Sequence, residues 1–507
     1  MSEMRELPRL ETGIPGFDQI ANGGLPAERS TLVAGTAGSG KTVLALQFLV
    51  TGVEDYAQNG VFVTFEEAPD DLMRNVQSFG WDLAGMVRDG RVAVVDATPE
   101  PGEAVISAGA YDLSALMARI ENAVRRVGAR RVILDAVGGL FPQFSDPNTI
   151  RRELHRILAG LRKLDVTTIV TIERTNEEGG IGRFGVEEFV TDNVMVVRNR
   201  LEQEKRRRTI EILKFRGATH QKGEYPFTID SEDGVTIIPL SAQELTQSSS
   251  AVRVSSGVAE LDKMCGGGMF RDSIILASGA TGTGKTLMVT EFVKAAIQEG
   301  EKVLLIGAEE SREQLTRNAE AWGVDFLKAE EEGTLKIISR YPEVMGLEDH
   351  LLQIKRDIRD FGPKRIAIDS MSAFERVSTQ KSFREFVIGL TSHIKHLEIT
   401  GLFTNTTSML VGGESITETH ISTITDTIIL LRYVELLGEM RRGLTVLKMR
   451  GTWHEKEIRE YVIDGNGMSI RSPFRGVHGI LSGSPTYALD LEAAQLGSMF
   501  EADHSGS

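Results

Sequence analysis

The sequence predicts an α/β fold present twice: two tandem P-loop NTPase domains, each a mainly parallel sheet flanked by helices. Three observations predict it. Long segments of the first half recur in the second, short apolar runs alternate with longer amphipathic ones, and each half carries one complete phosphate-binding loop. Strand–helix alternation is the pattern of parallel strands joined by crossover helices, which cover both faces of the sheet.

The repeat fixes the domain count. LVAGTAGSGKTVLALQF from Leu32 returns as LASGATGTGKTLMVTEF from Leu276, and TFEEAPDDLMRNVQSFGWD (Thr64 to Asp82) returns as GAEESREQLTRNAEAWGVD (Gly307 to Asp325). RRVILDA ending at Ala136 returns as KRIAIDS ending at Ser370, and ILKFRGATHQKGE from Ile212 returns as VLKMRGTWHEKEI from Val446. Order is kept, with offsets from 244 residues at the first pair to 234 at the last. A unit of that length fills its own core, so the repeat is a duplicated domain rather than a solenoid. The boundaries follow: a first domain over 1–240, a polar, Ser-rich linker over 241–257, a second domain over 258–480, and a tail over 481–507 expected to be poorly ordered at its end. Within the first copy STLVAG, GVFVTF, VAVVDA, RRVILDA and TTIVTI read as strands, while DLSALMARIENAVRRVG repeats its apolar residues at helical spacing.

Composition narrows the class. The chain has 507 residues with 57 Lys+Arg against 72 Asp+Glu, a net charge of −15, which argues against broad binding to nucleic acid. No stretch approaches the roughly 18 apolar residues of a membrane helix, and MSEMRELPRLETGIPG lacks a basic-then-apolar leader pattern. The single cysteine, Cys265, excludes an intrachain disulfide and fits a reducing compartment. A cytoplasmic protein without membrane or nucleic-acid partners is the expectation.

The chemistry lies in the phosphate loops. GTAGSGKT comprises Gly35, Thr36, Ala37, Gly38, Ser39, Gly40, Lys41 and Thr42; GATGTGKT comprises Gly279, Ala280, Thr281, Gly282, Thr283, Gly284, Lys285 and Thr286. Each follows an apolar strand and opens a helical segment, the context in which glycines let backbone amides wrap phosphates at a helix N-terminus. Lys41 and Lys285 are placed to reach the β/γ-phosphates of ATP, and Thr42 and Thr286 to offer hydroxyls to Mg²⁺. Asp135 and Asp369 end apolar strands downstream and fit the carboxylate that holds the metal through water. Two further strands end in paired carboxylates, Glu66-Glu67 and Glu309-Glu310. A Glu there can polarise water or a hydroxyl attacking the γ-phosphate.

The copies differ at one informative place. Aligned on Asp192 and Asp426, Ser422 and Thr423 stand where the first copy has Glu188 and Phe189. A fixed carboxylate in one copy therefore corresponds in position to phosphorylatable hydroxyls in the other.

These residues carry a resemblance over nearly the whole chain. The two P-loops, the two Glu pairs, SITETHISTITDT (Ser415 to Thr427), FRGATHQKGEYPF (Phe215 to Phe227) and KMRGTWHEKEIRE (Lys448 to Glu460) resemble the KaiC family of circadian clock ATPases and autokinases. The resemblance implies RecA-like domains, assembly as a two-tiered homohexamer with ATP between neighbouring subunits, a hydrolytic N-terminal ring, and a C-terminal ring that is autokinase and autophosphatase. It implies Ser422 and Thr423 as phosphorylation sites assisted by Thr417, Glu66 and Glu67 as the pair activating water, and Glu309 ahead of Glu310 as base for the hydroxyl. Lys214, Arg216, Lys448 and Arg450 match basic residues that reach a neighbour's γ-phosphate. Glu418 and Thr419 depart mildly from the family's Asp and Ser. The residues after Pro485 diverge from the region that docks KaiA, which points to a KaiA-independent member, and a KaiB-like protein is the implied partner of the N-terminal ring.

Competing readings are a RecA-like ATP-gated scaffold without self-phosphorylation and a nucleic-acid motor, the latter disfavoured by the acidic charge. Lys205-Arg206-Arg207-Arg208 reads as a solvated or intersubunit edge. Trp81, Trp322 and Trp453 read as packing anchors.

Overall fold

The computed structural model describes residues 7–98, 113–143, 147–182, 187–202, 204–239, 250–407, 423–436, 438–480 and 486–487. The chain divides into two compact units, Met1–Glu244 and Leu245–Ser507.

In the first unit β1 (Arg9–Leu10) and β2 (Leu25–Pro26) form a short antiparallel ribbon. The main sheet contains β3 (Ser30–Gly35), β4 (Gly60–Thr64), β5 (Val92–Asp96), β6 (Arg131–Asp135), β7 (Thr167–Glu173), β8 (Asn193–Glu202), β9 (Lys205–Phe215), β10 (Glu224–Asp230) and β11 (Gly234–Ile237), in the order β11-β10-β9-β8-β3-β7-β6-β4-β5. The six strands from β5 to β8 pair in parallel, and β9 to β11 extend the sheet antiparallel. The parallel strands are apolar throughout because both faces are covered. Val33, Phe62 and Ile133 pack under the helix Lys41–Asp55, while Leu32, Val61, Val63, Val132 and Leu134 pack on the other face with Ile120, Val124, Leu154 and Ile157.

The second unit repeats this plan. Its ribbon is β12 (Arg253–Val254) with β13 (Met269–Phe270), and its sheet holds β14 (Ile274–Gly279), β15 (Val303–Gly307), β16 (Leu335–Ser339), β17 (Arg365–Asp369), β18 (Thr400–Thr406), β19 (Thr427–Leu436), β20 (Glu439–Met449), β21 (Arg459–Asp464) and β22 (Gly467–Pro473), ordered β16-β15-β17-β18-β14-β19-β20-β21-β22. Two nine-stranded, mostly parallel sheets flanked by helices are the RecA-like pair that the sequence predicts.

The expected linker runs into described structure at its C-terminal end. Residues 250–257, read as linker for their serines, belong to the second unit: Arg253 donates to the Cys265 and Gly268 carbonyls, Ser255 Oγ donates to Asp262, and Ser256 N donates to Asp262. These serines serve the turn that follows the ribbon strand, as Thr12 does with Asp18 in the first unit. Residues 241–249 lie outside the described residues, as does the tail apart from Thr486 and Tyr487.

Each unit also buries an arginine completely at the start of its Asp-bearing strand. Arg131 donates to Gln58 and to the carbonyls of Phe48, Thr12 and Glu11. Arg365 instead pairs with Glu299 and Glu301 and donates to the Ser255 carbonyl. Both tie the entering chain to the sheet.

Candidate active sites

In both units the P-loop leaves the carboxyl end of a central strand and turns into a long helix. Gly38 and Gly40 have φ of 72° and 92°, and Gly282 and Gly284 have 81° and 93°, a left-handed conformation that suits glycine. The helices beginning at Lys41 and Lys285 have no side-chain cap, so their first amides are available to an anion. Lys41 Nζ donates to the Thr36 carbonyl at 2.9 Å, and Lys285 Nζ to the Gly279 and Ala280 carbonyls at 2.8 and 2.9 Å. Burial lowers both ammonium pKa values, against the fields of Glu173, Asp135, Glu66 and Glu177 at Lys41 and of Asp369 and Glu309 at Lys285. An ammonium whose hydrogen bonds go to backbone carbonyls, beside open amides, fits a polyphosphate.

The strand-end aspartates meet the P-loop hydroxyls. Thr42 Oγ1 lies 3.0 Å from Asp135, and Thr286 Oγ1 lies 2.7 Å from Asp369. Thr171 and Thr404, on the neighbouring strands, donate to the same carboxylates. Burial raises the pKa of Asp135, opposed by the Thr171 and Thr42 hydroxyls. Hydroxyl plus carboxylate is the oxygen set that suits Mg²⁺ shared with phosphates.

The Glu pairs follow β4 and β15, next to the aspartate strands. Burial raises the pKa of Glu66, helped by Asp135 and Glu173. Glu67 is turned aside, accepting from Asn75. In the second unit Glu309 accepts from Ser370 Oγ at 3.0 Å and from Arg376, while Glu310 accepts from Asn318 at 3.1 Å. Burial and Asp369 raise the pKa of Glu310.

The remaining predicted residues that are described lie at the amino ends of β8 and β19, the strands beside the P-loop strands, away from the P-loop end. β19 runs parallel to the P-loop strand, with Thr427 opposite Ile275 and Leu431 opposite Gly279. Thr423 precedes β19, so at about 3.3 Å per residue more than 13 Å of strand separates it from its own P-loop. Lys448 sits opposite Ile428 and donates to the Thr425 carbonyl at 2.7 Å; Arg450 donates to the Thr423 carbonyl at 2.7 Å. The first unit matches this: Lys214 donates to the carbonyls of Glu188 and Thr191, and Arg216 lies 3.9 Å from Asp192. Ser422 and Thr417 lie outside the described residues.

Sequence reading missed several neighbours. Thr36 donates to Glu177, and Asn199 Nδ2 and Arg208 Nε both donate to the Gly38 carbonyl at 3.3 Å. Arg208, read as part of a solvated run, therefore reaches the first P-loop. Ser370 and Arg376 at Glu309 were also missed, although the Ala136-to-Ser370 change is visible in the repeat. Trp453 is 67% exposed and so is not an anchor, unlike Trp81, which stacks on Phe79, and Trp322, which packs against the core.

The family model for the KaiC ATPase matches residues 10–242 and again 254–474. The chain belongs to the KaiC family. It is 59% identical over 495 residues to the circadian clock protein KaiC3 of Synechocystis sp., covering 98% of both chains. Against the circadian clock oscillator protein KaiC of Synechococcus elongatus it is 55% identical over 496 residues, covering 98% of this chain and 95% of the other. Against that of Parathermosynechococcus lividus it is 57% identical over 486 residues, covering 96% and 90%. As a KaiC-family ATPase the chain carries two ATPase domains in sequence, and among the described residues no helix is long and apolar enough to cross a membrane.

Proposed function

We propose that the chain is an ATP-hydrolysing serine/threonine autokinase and autophosphatase of a KaiC-type timer, working as a cytoplasmic homohexamer and passing the γ-phosphate to Ser422 and Thr423 of a neighbouring subunit. The observation that carries the reading is the placement of Thr423 and of the Lys448–Arg450 pair at the end of the sheet away from their own P-loop. Residues so placed serve a site on the next subunit when copies assemble head to tail, and a ring is the closed form of such contacts.

The roles follow from the positions. Lys41 and Lys285, with the loop amides, bind the phosphates. Thr42 and Asp135, or Thr286 and Asp369, would hold Mg²⁺, which when bound would supply charge neutralisation at the phosphate oxygens. In the first unit Glu66 takes the proton of the attacking water. In the second, Glu309, fixed by Ser370 and Arg376, takes the proton of the Ser422 or Thr423 hydroxyl. The hydroxyl oxygen bonds to the γ-phosphorus, the bond from that phosphorus to the bridging oxygen breaks, and ADP leaves. Lys214, Arg216, Lys448 and Arg450 stabilise the transferring charge from the neighbouring subunit. The relatives' names support a clock or timer role, in which a KaiB-like protein is the partner; the divergent residues after Pro485 speak for independence of KaiA.

Incubation with labelled ATP and Mg²⁺ tests the reading. Label is expected on the protein and is lost when Ser422 and Thr423 are both replaced by Ala. Unlabelled protein that still hydrolyses ATP would support the scaffold instead, and DNA-stimulated, salt-sensitive hydrolysis would support a motor. Mixed hexamers of Glu309→Gln subunits with Ser422→Ala/Thr423→Ala subunits should regain label, whereas label confined to within-chain transfer would leave such mixtures dark.

A further inference from the structure

The two units pin their phosphate loops by different bonds. In the first unit the Gly38 carbonyl accepts from Asn199 Nδ2 on β8 and from Arg208 Nε on β9, each at 3.3 Å. Asn199 faces Arg208 across that hairpin, and the matching pair in the second unit is Tyr433 with Arg442. There the guanidinium lies over the ring, 5.7 Å from its centroid. The second loop is instead held one residue later, where Tyr461 Oη on β21 donates to the Thr283 carbonyl. Tyr461 is 1% exposed and belongs to the core that contains Leu287 and Met468. Phe227 stands at the same place in the first unit. Two residues further on, Ile229 and Ile463 both lie against the last glycine of their loops, 2.5 and 2.6 Å from where a Cβ on Gly40 or Gly284 would sit. Phe227 has no hydroxyl to offer.

We propose that Tyr461 is a positioning residue of the second ATP site. The Thr283 carbonyl and the Gly284 N–H belong to one planar trans peptide and point in opposite directions. A phenol that holds the carbonyl toward the core therefore turns the Gly284 amide away from it, to the side on which loop amides take phosphate oxygens. The buried carbonyl also gains the partner that burial demands. Aiming an amide beforehand strengthens phosphate binding without entering the chemistry, so it acts alike on bound ATP and on the transition state. This rests on reading GATGTGKT as a nucleotide site.

The test titrates the full chain with ADP and with adenosine by calorimetry, and the Lys285→Ala chain shows which heat belongs to the second site. Tyr461→Phe removes only the hydroxyl. It should weaken ADP at that site about threefold to tenfold, the scale of one neutral hydrogen bond, and leave adenosine, which has no phosphate, unchanged. In protein phosphorylation it should raise KM for ATP by the same factor with kcat retained, as expected of an interaction equal in ground and transition states. In the Lys285→Ala background the same substitution should leave ADP affinity at the first site as it was. Tyr461→Met, also without a donor, takes its place if Tyr461→Phe does not fold. Unchanged ADP affinity at the second site would overturn the proposal. Equal weakening of ADP and adenosine would do so too, because it marks a distorted pocket rather than a misaimed amide, as would a lowered kcat with unchanged KM. A chain that takes no label leaves the decision to the ADP and adenosine arms. An ADP titration that Lys285→Ala does not alter would overturn the reading of GATGTGKT as a nucleotide site, and the proposal with it.

Discussion

Among the described residues, the P-loop lysine of the first unit feels the charges of Glu173, Asp135, Glu66 and Glu177, and that of the second feels those of Asp369 and Glu309. After the strand-end aspartate the first unit has Ala136 and the second Ser370, which holds Glu309. The sheets themselves match strand for strand. Duplication therefore kept the scaffold and varied residues at strand ends, where a substitution alters charge and hydrogen bonding without disturbing the core.

The largest effect should come from dividing the two chemistries at their lysines. Lys285→Ala is expected to reduce protein phosphorylation at least about a hundredfold, the scale of losing a preorganised group at the transferring phosphate, while ATP hydrolysis by the first unit continues. Phosphorylated protein from a Lys285→Ala chain, read by intact-protein mass spectrometry, would break the division of labour between units.

How much of this was legible depends on which periodicity carried it. The P-loops, the strand-end aspartates and the Glu pairs sit on apolar strands followed by turns, so a repeat of strand plus motif exposes them without coordinates. Glu173 was less visible, because a carboxylate closing TTIVTIE is ordinary until the register places it against Gly35. Asn199 and Arg208 reach Gly38 through a hairpin pairing, Asn199 opposite Arg208, that local pattern does not specify. Ser255 and Ser256, just after Arg253, misled because Ser favours both linkers and tight turns, and only the bonds to Asp262 distinguish the two. The placement of Lys214 and Lys448 away from their own P-loops needed the parallel direction of β8 and β19, which sequence alone left open.

The buried arginines give the next largest contrast. Arg365→Met removes the Arg365 contacts of Glu299 and of the largely buried Glu301, which keeps Arg271, and should destabilise the second unit by about 2–4 kcal/mol, the scale of lost charge-assisted hydrogen bonds. Arg131→Met orphans neutral carbonyls instead, at about 1–3 kcal/mol. Their pH dependence should differ as well. Burial alone would raise the Glu301 pKa, but hydrogen bonds and charge from Arg271 and Arg365 hold it below its ordinary value of 4.5. A depressed carboxylate contributes stability above the unfolded pKa and loses it as pH falls through the folded one. The gap between the parent and Arg365→Met should therefore shrink below about pH 4.5, while the Arg131→Met gap changes little. Urea denaturation, with hydrogen exchange assigning each transition to its unit, checks both. Equal and pH-independent losses would mean that the two arginines act alike.

The smallest effect is the most specific. Ser370 Oγ is shared between Glu309 Oε2 at 3.0 Å and Ser372 Oγ at 2.8 Å, so it orients the carboxylate without adding charge. Arg376, more than half exposed, remains as the other partner of Glu309. Losing one hydroxyl-to-carboxylate hydrogen bond, about 1.5 kcal/mol with Arg376 still in place, predicts that Ser370→Ala slows phosphorylation roughly tenfold with ATP affinity unchanged, because the hydroxyl acts on the proton acceptor and not on the phosphates. Ala136→Ser in the first unit supplies the same hydroxyl beside Glu66, and should change hydrolysis by no more than a similar factor. A weakened ATP affinity in Ser370→Ala would instead assign Ser370 to the nucleotide, and the difference between the units would then lie in binding rather than in how the proton acceptor is held.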